Sequence, residues 1–162
     1  MAVPVPLING DYPSFADIEI SIFSGLYAGI KSINYGHKLN RQYVRGTNRE
    51  PIGMTSGQYE PTCDFEMYKP QADFLRTTLA AASVVPGQGY MQVPFTITIA
   101  TISPVLGVIT DTIVAAYIVD EEAAYSEGMD ALARKFTIMY QRLLYNGVTA
   151  VTYQLTGIGL VG

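Results

Sequence analysis

Apolar and polar residues alternate through residues 16–22. Ile18, Ile20 and Ile22 fall on one side and Asp17, Glu19 and Ser21 on the other, the period of a half-buried strand. A turn at Gly25 leads to a second predicted strand over 28–35. The clearest alternation covers 59–67: Tyr59, Cys63, Phe65 and Met67 share one face, and Glu60, Thr62, Asp64 and Glu66 share the other. Pro70 then opens a predicted helix over 71–83, with Phe74, Leu75, Thr78, Leu79 and Ala82 at helical spacing, ended by Pro86-Gly87-Gln88-Gly89. Residues 93–102 and 111–119, rich in Thr, Ile and Val, predict two further strands. The segment 129–145 is ambiguous. Met129, Leu132, Ala133, Phe136, Met139, Tyr140 and Leu143 make a helical stripe that Gly147 could cap, while Phe136, Ile138 and Tyr140 alternate as in a strand. The pattern alone favours the helix. Residues 36–57 read as a polar, irregular loop of the length usually kept for function. Residues 1–14, with Pro4, Pro6 and Pro13, read as an extended arm.

Composition adds an assembly argument. The 162 residues fit one domain, 1–162, with the arm at one end and a C-terminal extension over 149–162 at the other. Hydrophobic residues make up 49% but charged ones only 15%, against about 25% in an ordinary soluble domain. A compact monomer of this size exposes roughly 8,000 Å². So few charges cover that area thinly, and exposed apolar surface on that scale points to protein partners and an obligate oligomer. One cysteine leaves no disulfide framework and no multi-cysteine zinc site. No charge occurs between Arg76 and Asp111, but Pro86, Pro94 and Pro104 break that stretch too often for a membrane-spanning helix. A soluble, intracellular protein with no membrane partner is the expectation.

Candidate chemistry is sparse. His37, the one histidine, sits in a predicted loop without a nucleophile beside it, so a surface or interface role fits better than catalysis. Cys63 lies on an apolar strand face and reads as a buried structural thiol. The terminal Gly157-Ile-Gly-Leu-Val-Gly162 spells a dinucleotide-binding motif, but no helix can follow its last glycine to hold a phosphate. The acids at Asp64/Glu66 and at Asp120/Glu121/Glu122 lack further ligands for a metal. No catalysis, cofactor or metal is expected. The charge distribution says more. Lys31, Lys38, Arg41, Arg45 and Arg49 form a run with no acid among them, and Asp120, Glu121, Glu122, Glu127 and Asp130 a run with no base. Complementary patches on one chain permit head-to-tail association. The basic run with Tyr35 and Tyr43 is also a weak signal for a small β-barrel module binding single-stranded nucleic acid, although a net charge of −4 argues against heavy phosphate contact.

The run Arg45-Gly-Thr-Asn-Arg-Glu-Pro-Ile-Gly-Met-Thr-Ser-Gly-Gln-Tyr-Glu-Pro61, followed by an alternating strand and a helix from Pro70, resembles the middle of phage tail tube proteins. So does Ser126-Glu-Gly-Met-Asp-Ala-Leu-Ala with the stretch up to Tyr145-Asn-Gly147. The resemblance covers roughly residues 16–149. It implies a mainly β fold, a sandwich or barrel of two packed antiparallel sheets with one flanking helix. Such subunits form hexameric rings that stack into a tube or a tube-proximal baseplate ring and let DNA pass. It further implies that Lys38, Arg41, Arg45 and Arg49 lie on a loop that reaches a neighbouring subunit or ring, and that 129–145 is largely strand, against the periodicity. Sheath, baseplate and other tail proteins would be the partners, genomic DNA would cross the lumen without specific binding, and the location would be the virion tail, assembled in the host cytoplasm. The complementary acidic segment (Asp120, Glu121, Glu122, Glu127, Asp130) would receive the basic loop, and Asp64 and Glu66 are candidates for lumen-facing acids. An inner-tube protein of a phage-derived injection or secretion system is the alternative within the same fold.

Overall fold

A computed structural model describes residues 12–23, 25–103 and 107–150. The residues of the N-terminal arm before Tyr12, those of the C-terminal extension after 150, and with them the glycines of the terminal motif, lie outside the described residues. A single 3-10 turn, Phe15–Asp17, leads into β1 (Ile18–Ile22), β2 (Gly25–Leu26) and β3 (Ile30–Asn40). A small hairpin follows, β4 (Tyr43–Val44) and β5 (Gly53–Met54), and then β6 (Gln58–Tyr68) and the helix α1 (Lys69–Ala81). The chain continues through β7 (Phe95–Ser103), β8 (Gly107–Ala123), β9 (Ala133–Met139), β10 (Arg142–Tyr145) and β11 (Val148–Thr149).

All pairings are antiparallel, and β8 belongs to two sheets. Its first half lies between β7 and β10, which extends the first sheet to β2-β1-β7-β8-β10-β11. Its second half pairs with β9, giving the second sheet β8-β9-β6-β3. Inward residues from both sheets make one core: Ile20 and Ile22 of β1, Phe65 and Met67 of β6, Ile97 and Ile99 of β7, Ile113 and Ile118 of β8, and Phe136 and Ile138 of β9. The Phe65 and Phe136 rings stack with centroids 5.2 Å apart. Helix α1 covers the flank with Ala72, Leu75 and Leu79. Phe74, expected in its buried stripe, is exposed, with its ring tilted beside that of Tyr27 at 6.0 Å between centroids.

β8 passes from one sheet to the other between Ala116 and Tyr117, just after the register of its ladder with β7 shifts at Ala115, whose φ of 55° is left-handed. Ala116 beside it is fully buried, so the corner is set by packing against backbone preference. Replacing Ala115 by glycine removes the Cβ conflict but adds unfolded-state entropy, and the net expectation is a gain of about 0.5 kcal/mol. Ala115→Val, β-branched at positive φ, is expected to lose about 2 kcal/mol. Paired urea unfolding curves check both signs.

Two expectations are corrected. Residues 129–145 are not a helix: they hold β9 and β10, as the tail-tube resemblance implied. The helical stripe arose because Met129, Leu132 and Met139 are apolar yet exposed, which blurs the alternation of the buried Phe136, Ile138 and Tyr140. Gly147 is no helix cap; Asn146 (φ 48°) and Gly147 (φ 80°) form the tight turn between β10 and β11. The stretch 36–57 is also more ordered than a loop, since β3 runs to Asn40 in register with β6.

Candidate assembly surfaces

The β3–β6 ladder runs from Ile30↔Met67 at one end to Asn40↔Gln58 at the other. Its far end carries the hairpin of β4 and β5. The hairpin leaves the ladder at Gly57 (φ 92°), where an added Cβ would come within 2.9 Å of the Asn40 carbonyl oxygen, so only glycine makes this exit without strain. Gln42 and Thr55 brace the hairpin base: the Thr55 amide donates to the Gln42 carbonyl at 2.8 Å, and the Gln42 amide donates to Thr55 Oγ1 at 2.9 Å. Tyr43 pairs with Met54 across the two strands. Tyr43, Pro51, Ile52, Gly53 and Met54 line a shallow concavity of about 320 Å³.

The sequence reading found the basic side chains of this arm, and the structure places them there. Lys38 is on β3 opposite Glu60, Arg41 follows the ladder end, and Arg45 and Arg49 sit on the hairpin. All four are exposed. The Arg45 guanidinium lies 5.8 Å from the Tyr43 ring centre and donates to the Arg49 carbonyl at 3.4 Å. The apolar half of the arm was not anticipated. Tyr43, Ile52 and Met54 are 63%, 65% and 59% exposed, an arrangement that costs hydration free energy in an isolated monomer. Its signal in the sequence was four bulky apolar residues, Tyr43, Val44, Ile52 and Met54, inside a stretch that otherwise reads as polar.

The near end of the ladder is different in charge. Tyr68 of β6 pairs with Ala133 of β9, and Ala123 of β8 with Arg134, so the connection 124–132 carrying Glu127 and Asp130 hangs at the Ile30 end. Both acids are exposed there. The basic hairpin and this acidic connection thus sit at opposite ends of one rigid ladder.

The acids of β6 and β8 fall into two groups. Asp64 and Glu66 point outward from the second sheet; Asp64 accepts from Asn34 at 3.4 Å, and Glu66 meets Lys31 at 3.5 Å. Register continues this face across β9: Thr137 lies between Asp64 and Asp120, and Lys135 between Glu66 and Glu122. Four acids therefore share one outer sheet face. Glu121 is turned the other way, toward the core side with Phe136 as its register partner. Its carboxylate accepts hydrogen bonds from Arg76, Tyr90 and Arg134, the last at 2.6 Å. Burial alone would raise this carboxyl, but the hydrogen bonds from Tyr90, Arg134 and Arg76 outweigh it and hold the group below its ordinary value. Arg76 and Arg134 lie 45 residues before and 13 residues after Glu121, with no pattern in the sequence to link them.

The remaining candidates fall inside the fold. Cys63 is buried, and burial pushes its thiol up to about 12, far from a reactive thiolate. His37 packs between the rings of Tyr59 and Tyr145, and its buried Nδ1 has no hydrogen-bond partner. Nearby, Tyr35 donates to Asp111 at 2.5 Å and Tyr140 donates to the Gly36 carbonyl, which ties the β3 edge to β8 and to the connection between β9 and β10 through side chains. Among the described residues no three His, Cys, Asp or Glu side chains converge on a metal site, and no helix is long and apolar enough to cross a membrane.

No protein-family model and no curated protein matches the chain. Solved structures do. The cap that terminates the tube of the anti-feeding prophage aligns over 88% of this chain and 97% of its own, with 14% identity and a TM-score of 0.63. The sheath–tube complex of an extracellular contractile injection system in its extended state aligns over 82% and 90%, with 12% identity and a TM-score of 0.57. Hcp1 from Flavobacterium johnsoniae aligns over 83% and 98%, with 11% identity and a TM-score of 0.52. The chain has the fold that these tube-system structures share, the two-sheet architecture with a flanking helix implied by its resemblance to tail tube proteins.

Proposed function

We propose that this chain is a structural ring subunit of a phage-like tail or injection particle, working by assembly and not by catalysis. The observation that carries the reading is the polarity of the subunit: a basic, apolar arm at one end of the β3–β6 ladder and an acidic connection at the other. Surfaces that complement each other at opposite ends of one rigid body join head to tail and repeat. In this reading six subunits close a ring, and rings stack with the Lys38, Arg41, Arg45 and Arg49 arm reaching the next copy at Glu127 and Asp130, while Asp120 and Glu122 share the face of Asp64 and Glu66. Glu121 contributes indirectly, by fixing the strand that carries its neighbours.

The outer face bearing Asp64 and Glu66 would line the bore. Six copies at −4 each carry −24 charges, and an acidic wall repels DNA phosphates so that a genome slides through without sticking. Sheath and baseplate proteins would be the neighbours, and the particle, a virion or an injection machine, the location. The TM-score of 0.63 to a tube-terminating cap favours a terminal ring as the second reading, with a protein cargo in place of DNA if the particle is an injection machine.

Negative-stain electron microscopy with a solution mass tests the assembly. Rings near six times 17.7 kDa, single or stacked, are expected. A monomer at high concentration that binds oligonucleotides in a salt-sensitive way would replace this reading with the nucleic-acid module.

A further inference from the structure

At the Ile30 end of the ladder, the 3-10 turn, β1, β2 and the start of β3 enclose a cavity of about 420 Å³. Its wall is mostly apolar, from Ile18, Ile20, Leu26, Tyr27 and Ile30, and among the described residues that line it Glu19 is the charged one. Leu26 is 67% exposed and Phe15 49%, so the cavity is rimmed by apolar side chains that project outward. The cavity adjoins the first residues of β3, and the hairpin follows its last; the eleven residues between span roughly 35 Å.

We propose that this cavity is the receptor for the hairpin of a second copy, with Ile52 and Met54 seated against Leu26, Tyr27 and Ile30, and Arg45 or Arg49 facing Glu19. The inference deepens the stacking reading and rests on it. The hairpin combines strongly exposed apolar side chains with exposed arginines, and the cavity combines an apolar wall with an acid. Each is matched to the other and mismatched to water. Their places at the two ends of one strand mean that seating one in the other translates the subunit along β3, so copies add without limit and without using the same surface twice. The axial repeat should then be close to the length of β3, roughly 35 Å.

The acidic connection offers charge alone to the same arm. Apolar contact in a cavity fixes position, whereas exposed ion pairs fix little and weaken with salt. The cavity therefore sets the register between copies, and Glu127 and Asp130 steer the approach.

The test places a photo-crosslinking residue at the hairpin tip of the full-length chain, Ile52→p-benzoylphenylalanine, under conditions where the unmodified chain assembles. Mass spectrometry should find the crosslink on residues 15–30 of another copy. Leu26→Asp, at an exposed rim position where folding is unaffected, should remove that crosslink and raise the concentration for half-assembly by about a hundredfold. Leu26→Asp combined with Ile52→Lys should recover at least a tenth of it. Rings or stacks whose crosslinks land on 124–132, within the same copy, or on residues 1–11 of either copy would overturn the cavity docking while leaving the ring reading in place. A chain that stays monomeric throughout overturns both.

Discussion

Arg41→Glu, Arg45→Glu and Arg49→Glu, introduced together, are expected to abolish ring stacking while leaving the thermal midpoint of the subunit unchanged. All three side chains are exposed, and the contacts of Arg45 are confined to the arm itself, with Tyr43 and the Arg49 carbonyl. Substitutions at such exposed positions change stability little, so the fold should barely register the change. The effect on association is another matter. The triple variant turns three positive charges into three negative ones and presents them to the end of the next copy that holds Glu19, Glu127 and Asp130. Juxtaposing like charges across an interface costs several kcal/mol, or on the order of a thousandfold in affinity. The loss should be partly relieved by salt, because all of these groups lie near water and a Debye length is about 10 Å at 0.1 M. The measurement is a mass distribution by analytical ultracentrifugation at two ionic strengths, beside a melting curve. Stacks that form normally from the triple variant would show that the basic residues do not dock. Lys38 is left in place because it lies opposite Glu60 within the ladder, where its replacement would perturb the subunit itself.

How far the sequence discloses this arrangement depends on what each residue faces. Strands with one face in the core and one in water were legible: β6 shows Cys63, Phe65 and Met67 buried and Asp64 and Glu66 outside, as the alternation says. Strands whose outer face is also apolar were not. Met139 and Tyr117 sit opposite each other on the outside of β9 and β8, both substantially exposed, and their hydrophobicity erased the period that would have marked β9 as a strand. The same residues are the ones an assembled ring has reason to cover. The resemblance to tail tube proteins supplied the right element because it rests on the order of glycine, aromatic and acidic residues along the chain and not on the period of one segment. The hairpin shows the converse case. Its arginines were visible as a run of one sign, but Tyr43, Ile52 and Met54 become one surface only when β4 and β5 pair. Position along the ladder was beyond the sequence altogether. That residues 41–57 and 124–132 lie at opposite ends follows from the register of three strands, and register is decided by side chains far apart in the chain.

The acids at 120–122 carry the largest predicted effect on the subunit itself, because they look alike in the sequence and differ in the structure. Asp120 and Glu122 are exposed, and their replacement by the amide should change stability by less than about 0.5 kcal/mol. Glu121→Gln should lose about 3 kcal/mol, which lowers the melting temperature by roughly 6–12 °C in a chain of this length. The reason is what the change leaves behind. Arg76 from α1 and Arg134 from β9 converge on one carboxylate oxygen, and Tyr90 donates to the other. With a neutral amide in its place, Arg134 and Arg76 converge on a group that no longer carries the charge between them, and Arg76 keeps only Asp73 as a counter-ion. The network also holds α1 against the second sheet, so its failure loosens the flank of the fold and not one side chain. Substituting all three charged members by apolar residues of similar volume, Glu121→Leu with Arg76→Met and Arg134→Met, should recover most of the loss, since the penalty belongs to unpaired charge and not to the absence of the pair. Acid should act like the single variant. The Glu121 carboxyl is held below its ordinary value in the folded chain, so its contribution is fully present above the unfolded value near 4.3 and is lost as pH falls through the folded one. Urea midpoints of the native chain and Glu121→Gln should therefore draw together as pH falls below the unfolded value, and meet only once the folded value is passed. A gap that stays constant down to pH 3 would mean that the carboxylate charge is not what holds α1 in place.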